Sequence, residues 1–169
     1  IDFESSPFYN PTEIPIVNSK LDKRQKSILF LGWHHVAETF INESIEYLEE
    51  GSTFEIYFNK PDQALIDRVD RLDKKHPDFK ITLTDSNPLA LEDLDQCNPF
   101  EFDNIIILSQ DSSEQKTDKI DSDTLIILLL LRKIKLKTPD VSTKIIAQVL
   151  NSENQEIINQ TDVDDFIIS

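Results

Sequence analysis

The stretch SILFLGWHH, Ser27 to His35, decides the fold. An apolar run of strand length ends in a single glycine, as the first strand of a nucleotide-binding sheet does. In a dinucleotide-binding turn, two further glycines follow, one admitting the pyrophosphate and one allowing close helix packing. Here Trp33 and His34 come next, and the chain holds only two glycines, Gly32 and Gly51. The first glycine of the pattern is present and the rest is missing. A tryptophan where phosphates should rest disfavours the standard NAD pose.

Working outward from Ser27, apolar runs alternate with helical patterns. SILFL, TFEIYF, FKITL, DNIIIL, TKIIAQV and DDFII are short, rich in Ile and Phe, and bounded by polar residues, which suits buried parallel strands. Between the first two, Val36, Ala37, Phe40, Ile41, Ile45 and Leu48 form one stripe over 33–49, closed by Gly51. A second helix is predicted over 61–75 with Pro61 at its first position, and a third over 88–97 behind Pro88. The fourth, over 123–137, is predicted to be capped by Asp121 or Asp123 and to end in Lys133, Lys135 and Lys137. A short fifth helix fits 153–159. Strict alternation argues for an α/β fold, a Rossmann-like doubly wound parallel sheet of six strands in the order 3-2-1-4-5-6. Residues 1–26, with Pro7, Pro11 and Pro15, are expected to form an N-terminal linker or extension, and 27–169 the domain.

Composition bounds the function. Of 169 residues, 38% are hydrophobic and 29% charged, as in a globular domain. With 32 acidic against 17 basic side chains the net charge is −15, which repels nucleic acid and anionic membrane surfaces. The single cysteine, Cys97, permits no intrachain disulfide and is expected to be a packing residue in a reducing, cytoplasmic setting. The opening IDFESSPFYN has neither the basic n-region nor the apolar h-region of a signal peptide, and the longest apolar run, LIILLLL from Leu125 to Leu131, is far short of the ~20 residues of a spanning helix. The chain starts without Met and is expected to be a fragment. A Gly-x-Ser-x-Gly elbow, a P-loop lysine and a Cys/His pair are all missing, so the chain is read as non-enzymatic.

From the second strand onward the sequence resembles RCK (TrkA-N-like) domains, the regulators of potassium channels and Trk-type uptake systems. ITLTDSNPLALEDLDQCNPFEFDNIIILSQD is similar to their third strand, short helix and fourth strand, and KIIAQVLNSENQEIINQTDVDDFIIS to their last strands and intervening helix. The match is best to the second RCK-like module of CASTOR/POLLUX-type ion channels. Its specific pieces are Gly32-Trp33 and Asp121-Ser122-Asp123 running into a leucine-rich helix. The resemblance implies a cytoplasmic regulatory domain of a tetrameric channel, assembled with other RCK modules into a gating ring and joined to a pore domain outside this chain. Two arginines of the family pattern are replaced by His34 and His35, and the acidic residue after the second strand by Asn59-Lys60. Histidines there would bind an anion only when protonated, near or below a pKa of ~6.5.

Any ligand belongs at the carboxyl ends of the first and fourth strands. Gly32, Trp33, His34, Asn59, Asp85, Ser109 and Asp111 are the candidate cofactor-binding residues. Trp33 would stack on an adenine, although a tryptophan opening an amphipathic helix is more commonly a core anchor. His34 and His35 point ~100° apart on a helix and do not chelate one metal well. Asp111, Glu114, Asp118, Asp121 and Asp123 are the candidate oxygen ligands for Ca2+, against the simpler reading of a solvated loop and a helix cap. Calcium and an adenine nucleotide are the cofactors left open.

The helix over 123–137 is apolar on all sides at its centre, so one face covers the sheet and another needs a partner. A homo-oligomer through 123–137 and 153–159 is expected, with Ile157 and Ile158 contributing. Leu128→Asp or Ile127→Asp is expected to give monomers. A soluble Trk-type nucleotide-binding regulator and a degenerate NAD-binding domain are the rival assignments.

Overall fold

The computed structural model describes residues 24–110, 117–149, 155–159 and 165–168. Six strands, β1 (Ser27–Leu31), β2 (Thr53–Phe58), β3 (Lys80–Asp85), β4 (Asn104–Ile107), β5 (Lys144–Val149) and β6 (Asp165–Ile168), alternate with five helices. The helices are α1 (His35–Ser44), α2 (Gln63–Lys75), α3 (Leu91–Gln96), α4 (Thr117–Lys135) and α5 (Gln155–Asn159). All strand pairs are parallel, in the order β3-β2-β1-β4-β5-β6. The strand order predicted from the alternation is the order found. Its reversal falls between β1 and β4, so the ends of those two strands open the crevice where ligands of such sheets sit.

The central strands are apolar on both sides because both sides are covered. In β1, Ile28 and Phe30 face one core while Leu29 and Leu31 face the other. The same alternation divides Ile106 from Ile105 and Ile107 in β4, and Ile146 from Ile145, Ala147 and Val149 in β5. The first core is closed by Ala37, Phe40 and Ile41 of α1 and Leu65, Val69 and Leu72 of α2. The second is closed by Leu94 of α3, Ile127, Leu128, Leu131 and Ile134 of α4, and Ile158 of α5. Edge strand β3 buries only Ile81.

The helices start and stop differently from their sequence patterns, for local reasons. Pro61 lies ahead of α2 rather than in its first turn, because Asp62 takes the capping position and accepts the Leu65 amide at 2.8 Å. α2 ends at Lys75, one residue before the His76-Pro77 pair, where proline disfavours helical geometry in its predecessor. Pro88 likewise lies in the turn before the six-residue α3. α1 is shorter than 33–49: it begins after His34 and tightens into a 3-10 turn over Ile45–Tyr47. α4 starts at Thr117, so Asp121 and Asp123 lie inside the helix and cannot cap it. Of the expected N-terminal extension, residues 1–23 lie outside the described residues. Residues 24–26 already join the domain: Arg24 bridges to Leu48, and the Lys26 amide donates to Ser52 Oγ at 3.0 Å. No helix among the described residues is long and apolar enough to cross a membrane.

Candidate functional site

At the end of β1 the chain turns through Gly32, whose φ of +100° favours glycine. The Gly32 amide donates to Tyr57 O at 2.9 Å, and the Trp33 amide donates to Ser109 O at 2.8 Å. Gly32 is therefore clamped between β2 and the segment leaving β4. A Cβ there would lie 2.4 Å from Ser109 O, 2.5 Å from Gln110 Nε2 and 2.7 Å from Leu108 O. The glycine serves a close approach of protein to protein.

Gln110 fills the space beside that turn. Its side-chain amide donates to Leu31 O at 2.9 Å and to Leu108 O at 2.7 Å, tying the ends of β1 and β4 together. The same place in a dinucleotide-binding sheet receives the pyrophosphate. Gln110 was not among the residues singled out from sequence. Its position directly past the second crevice-forming strand was the signal available.

The amino end of α1 is also occupied from within. Free N–H groups and the positive end of the helix dipole make such a terminus a phosphate site. Here His34 is the cap, its Nδ1 accepting the Val36 amide at 3.2 Å. That bond requires the neutral imidazole with its proton on Nε2. Burial lowers the pKa of His34, and the adjacent His35, its ring 4.0 Å away, lowers it further. The anion-binding role expected of a protonated His34 is thus opposed by its own environment. Trp33 is partly buried and packs against the core closed by α1 and α2, which makes it an anchor.

The remaining candidates divide into two groups. Ser109 is buried beside Gly32 and Trp33, at the crevice. Asn59 is exposed beyond β2, and Asp85 ends β3, where its carboxylate accepts the Lys60 amide at 2.8 Å. That bond holds a turn in which Lys60 has a φ of +51°, so Asp85 braces backbone. Asp111 lies outside the described residues.

Only two of the expected calcium ligands, Asp121 and Asp123, have described side chains. Asp111 and Glu114 lie outside the described residues, and of Asp118 only the backbone, within α4, is described. Asp121 and Asp123 are buried in α4, with Asp123 3.2 Å from Lys119 Nζ. Because the helix begins a turn earlier than its apolar run, both carboxylates are carried out of the loop that was to have held the ion. No group of three or more His, Cys, Asp or Glu side chains among the described residues is placed to hold a metal. Cys97 donates its thiol to Leu94 O at 3.0 Å, and burial pushes its pKa up to about 12, so it stays a protonated packing residue.

α4 presents two apolar sides. Ile127, Leu128, Leu131 and Ile134 are buried on the sheet. Ile126 and Leu129 are 44% and 48% exposed, and Leu136, just past the helix end, is 78% exposed. At ~100° per residue these three fall on the side away from the sheet. Ile157 on the neighbouring α5 is 55% exposed. Ile127 and Leu128, expected from sequence to carry subunit contacts, belong instead to the core of the single chain.

No protein-family model matches the sequence, and no curated protein matches it. Solved structures do. A GsuK channel bound to NAD superposes with a TM-score of 0.55 at 21% identity, over 86% of this chain and 22% of that one. A short-chain dehydrogenase from Oenococcus oeni PSU-1 superposes with a TM-score of 0.53 at 15% identity, over 78% of this chain and 64% of that one. This chain thus spans less than two thirds of either. Likeness at these identities establishes the fold, a Rossmann-like α/β domain.

Proposed function

We propose that this chain is a cytosolic regulatory module of RCK type, one unit of the gating ring of a CASTOR/POLLUX-like ion channel. It works by subunit packing and carries out no reaction of its own. The observation that carries this reading is the second apolar side of α4, continued by Ile157. Burying a half-exposed leucine or isoleucine contributes about 1 kcal/mol, and in a two-fold interface every such residue counts twice. The fold shared with a chain of the GsuK channel supports the assignment, as do the sequence pieces Gly32-Trp33 and Asp121-Ser122-Asp123. Domain movement would pass through this contact to neighbouring RCK modules and the pore domain.

Sedimentation equilibrium of the full chain tests it. The wild type should associate with rising concentration. Leu129→Asp should remain monomeric with its melting midpoint unchanged, because Leu129 lies outside the core. A wild type that stays monomeric at its highest soluble concentration would remove the basis of the proposal.

One observation favours a second reading. The GsuK structure is bound to NAD, and the crevice between β1 and β4 is where sheets of this order receive dinucleotides, so a Trk-type nucleotide-binding regulator or a degenerate NAD-binding domain is the alternative. A nucleotide would have to displace the His34 cap and the Gln110 side chain. A saturable rise in melting midpoint with NAD(H) or AMP would favour this alternative over a pure packing module.

A further inference from the structure

The outer surface between α1 and α2 runs against the charge of the chain. A cleft of about 270 Å³ there is lined by Glu38, Arg68, Arg71, Leu72 and Lys75. Three cations thus meet one carboxylate, in a protein with 32 acidic and 17 basic side chains. Arg68, Arg71 and Lys75 follow a spacing of three and four residues, which places them on one helical face, where like charges destabilise the helix.

Neutralisation by the protein itself is incomplete. The carboxylates of α2 and its cap are bonded to groups other than the cleft cations. Asp62 caps the helix, Asp67 accepts from Gln63, Asp70 from Lys74, and Asp73 from the Ile81 amide. Glu38 approaches Arg68 only to 3.6 Å. Lys75 reaches a neutral acceptor, Asn42 Oδ1, at 3.4 Å. The Arg71 side chain makes no hydrogen bond or ion pair with the described residues. The positive field extends to His76 at the end of α2, whose pKa is lowered by burial first and by Lys75 second.

We propose that this cleft binds a small phosphate-bearing anion, with the guanidinium groups of Arg68 and Arg71 on its oxygens and Lys75 supplying a third charge. Arginine suits that role because its planar fork matches two phosphate oxygens at once. Leu72, buried, is the apolar residue of the lining. The site faces away from α4, so it stands or falls separately from the proposed subunit contact.

The test is a titration of the isotopically labelled full chain with inorganic phosphate, and separately with glycerol phosphate. Chloride is exchanged to hold ionic strength constant, and backbone amide resonances are followed. Saturable shifts confined to residues 38–42 and 68–75 are expected. Arg71→Ala should weaken binding by about tenfold or more, the loss of one charge-assisted fork. Lys74→Ala, which removes a lysine already paired with Asp70, should leave binding unchanged. The tighter of the two anions identifies the source, a free ion or an organophosphate. Shifts that never saturate, shifts spread over the surface, or equal binding by Arg71→Ala would each overturn the proposal.

Discussion

The two faces of the sheet are built from alternate residues of the same strands and finished differently. On one, α1 and α2 carry narrow apolar stripes, and their outer sides are polar and charged apart from Ile66 of α2, 41% exposed. On the other, α4 is apolar toward the sheet and also exposes Ile126 and Leu129 on its outer side, between Ser122 and Lys133. A helix with one stripe completes its face of the domain. A helix with exposed apolar residues on its outer side leaves apolar area to solvent in the single chain. Under the proposed function the α4 face is the one that assembles, and the anion cleft inferred above lies on the α1–α2 face.

The sharpest way to break this comparison is to cut the two sides of α4 separately. Ile127 is fully buried, so Ile127→Ala should lower unfolding free energy by about 2–4 kcal/mol. Leu129→Ala, in solution dilute enough to be monomeric, should change it by less than about 0.5 kcal/mol. Urea unfolding of both variants measures the contrast. Comparable losses would mean that the outer side of α4 is part of the domain's own core.

A smaller effect is expected where the two faces meet, at the crevice. Gly32→Ala introduces a Cβ against two carbonyl oxygens and the Gln110 side chain, in a left-handed conformation. A cost on the order of 2–3 kcal/mol follows from the backbone conformation and the crowding. Gln110→Ala in that background should restore only part of it, because the contacts with Ser109 O and Leu108 O remain. Full restoration would show Gln110, rather than the backbone of β4, to be what demands a glycine.

Much of the architecture was legible because burial on two sides writes continuous apolar runs, and β1, β4 and β5 are such runs. Helix boundaries were less so. Thr117 to Ile120 reads as polar loop, and only tertiary context extends α4 backward through it, burying Asp121 and Asp123 where sequence suggested caps. The missing glycines pointed away from the standard NAD pose, but they could not say what fills the crevice. The His34 cap depends on a rotamer and a tautomer, and the Gln110 bonds depend on pairing of β1 with β4, which are 79 residues apart at the bonded atoms. The Arg68, Arg71 and Lys75 cleft was hidden because α2 interleaves these cations with Asp67, Asp70 and Asp73. Only the packing of α1 beside α2 isolates the positive side.

The smallest expected effect concerns pH and belongs to the α1–α2 face. His34 caps α1 only as the neutral imidazole, since protonation of Nδ1 would set a donor against the Val36 amide. Its pKa is lowered from 6.5 by burial first and His35 second, and that of His76 by burial first and Lys75 second. Within the window between the ordinary and lowered values, the unfolded chain binds more protons than the folded one. Stability therefore rises with pH there. The contribution is fully present above about 6.5 and is lost as pH falls through the lowered folded values. For the His34 cap a loss of roughly 1 kcal/mol is expected, beginning well before carboxylates near pH 4 respond. His34→Asn keeps a side-chain oxygen to cap α1 and removes the titration, so its stability should flatten across this window. His76→Asn should remove the remaining slope. A wild-type midpoint that does not fall between pH 7 and pH 5, measured by urea unfolding, would mean that His34 leaves the helix end when protonated without loss. In that case the amino end of α1 would be open to an anion, and the crevice would regain the phosphate site that the cap now fills.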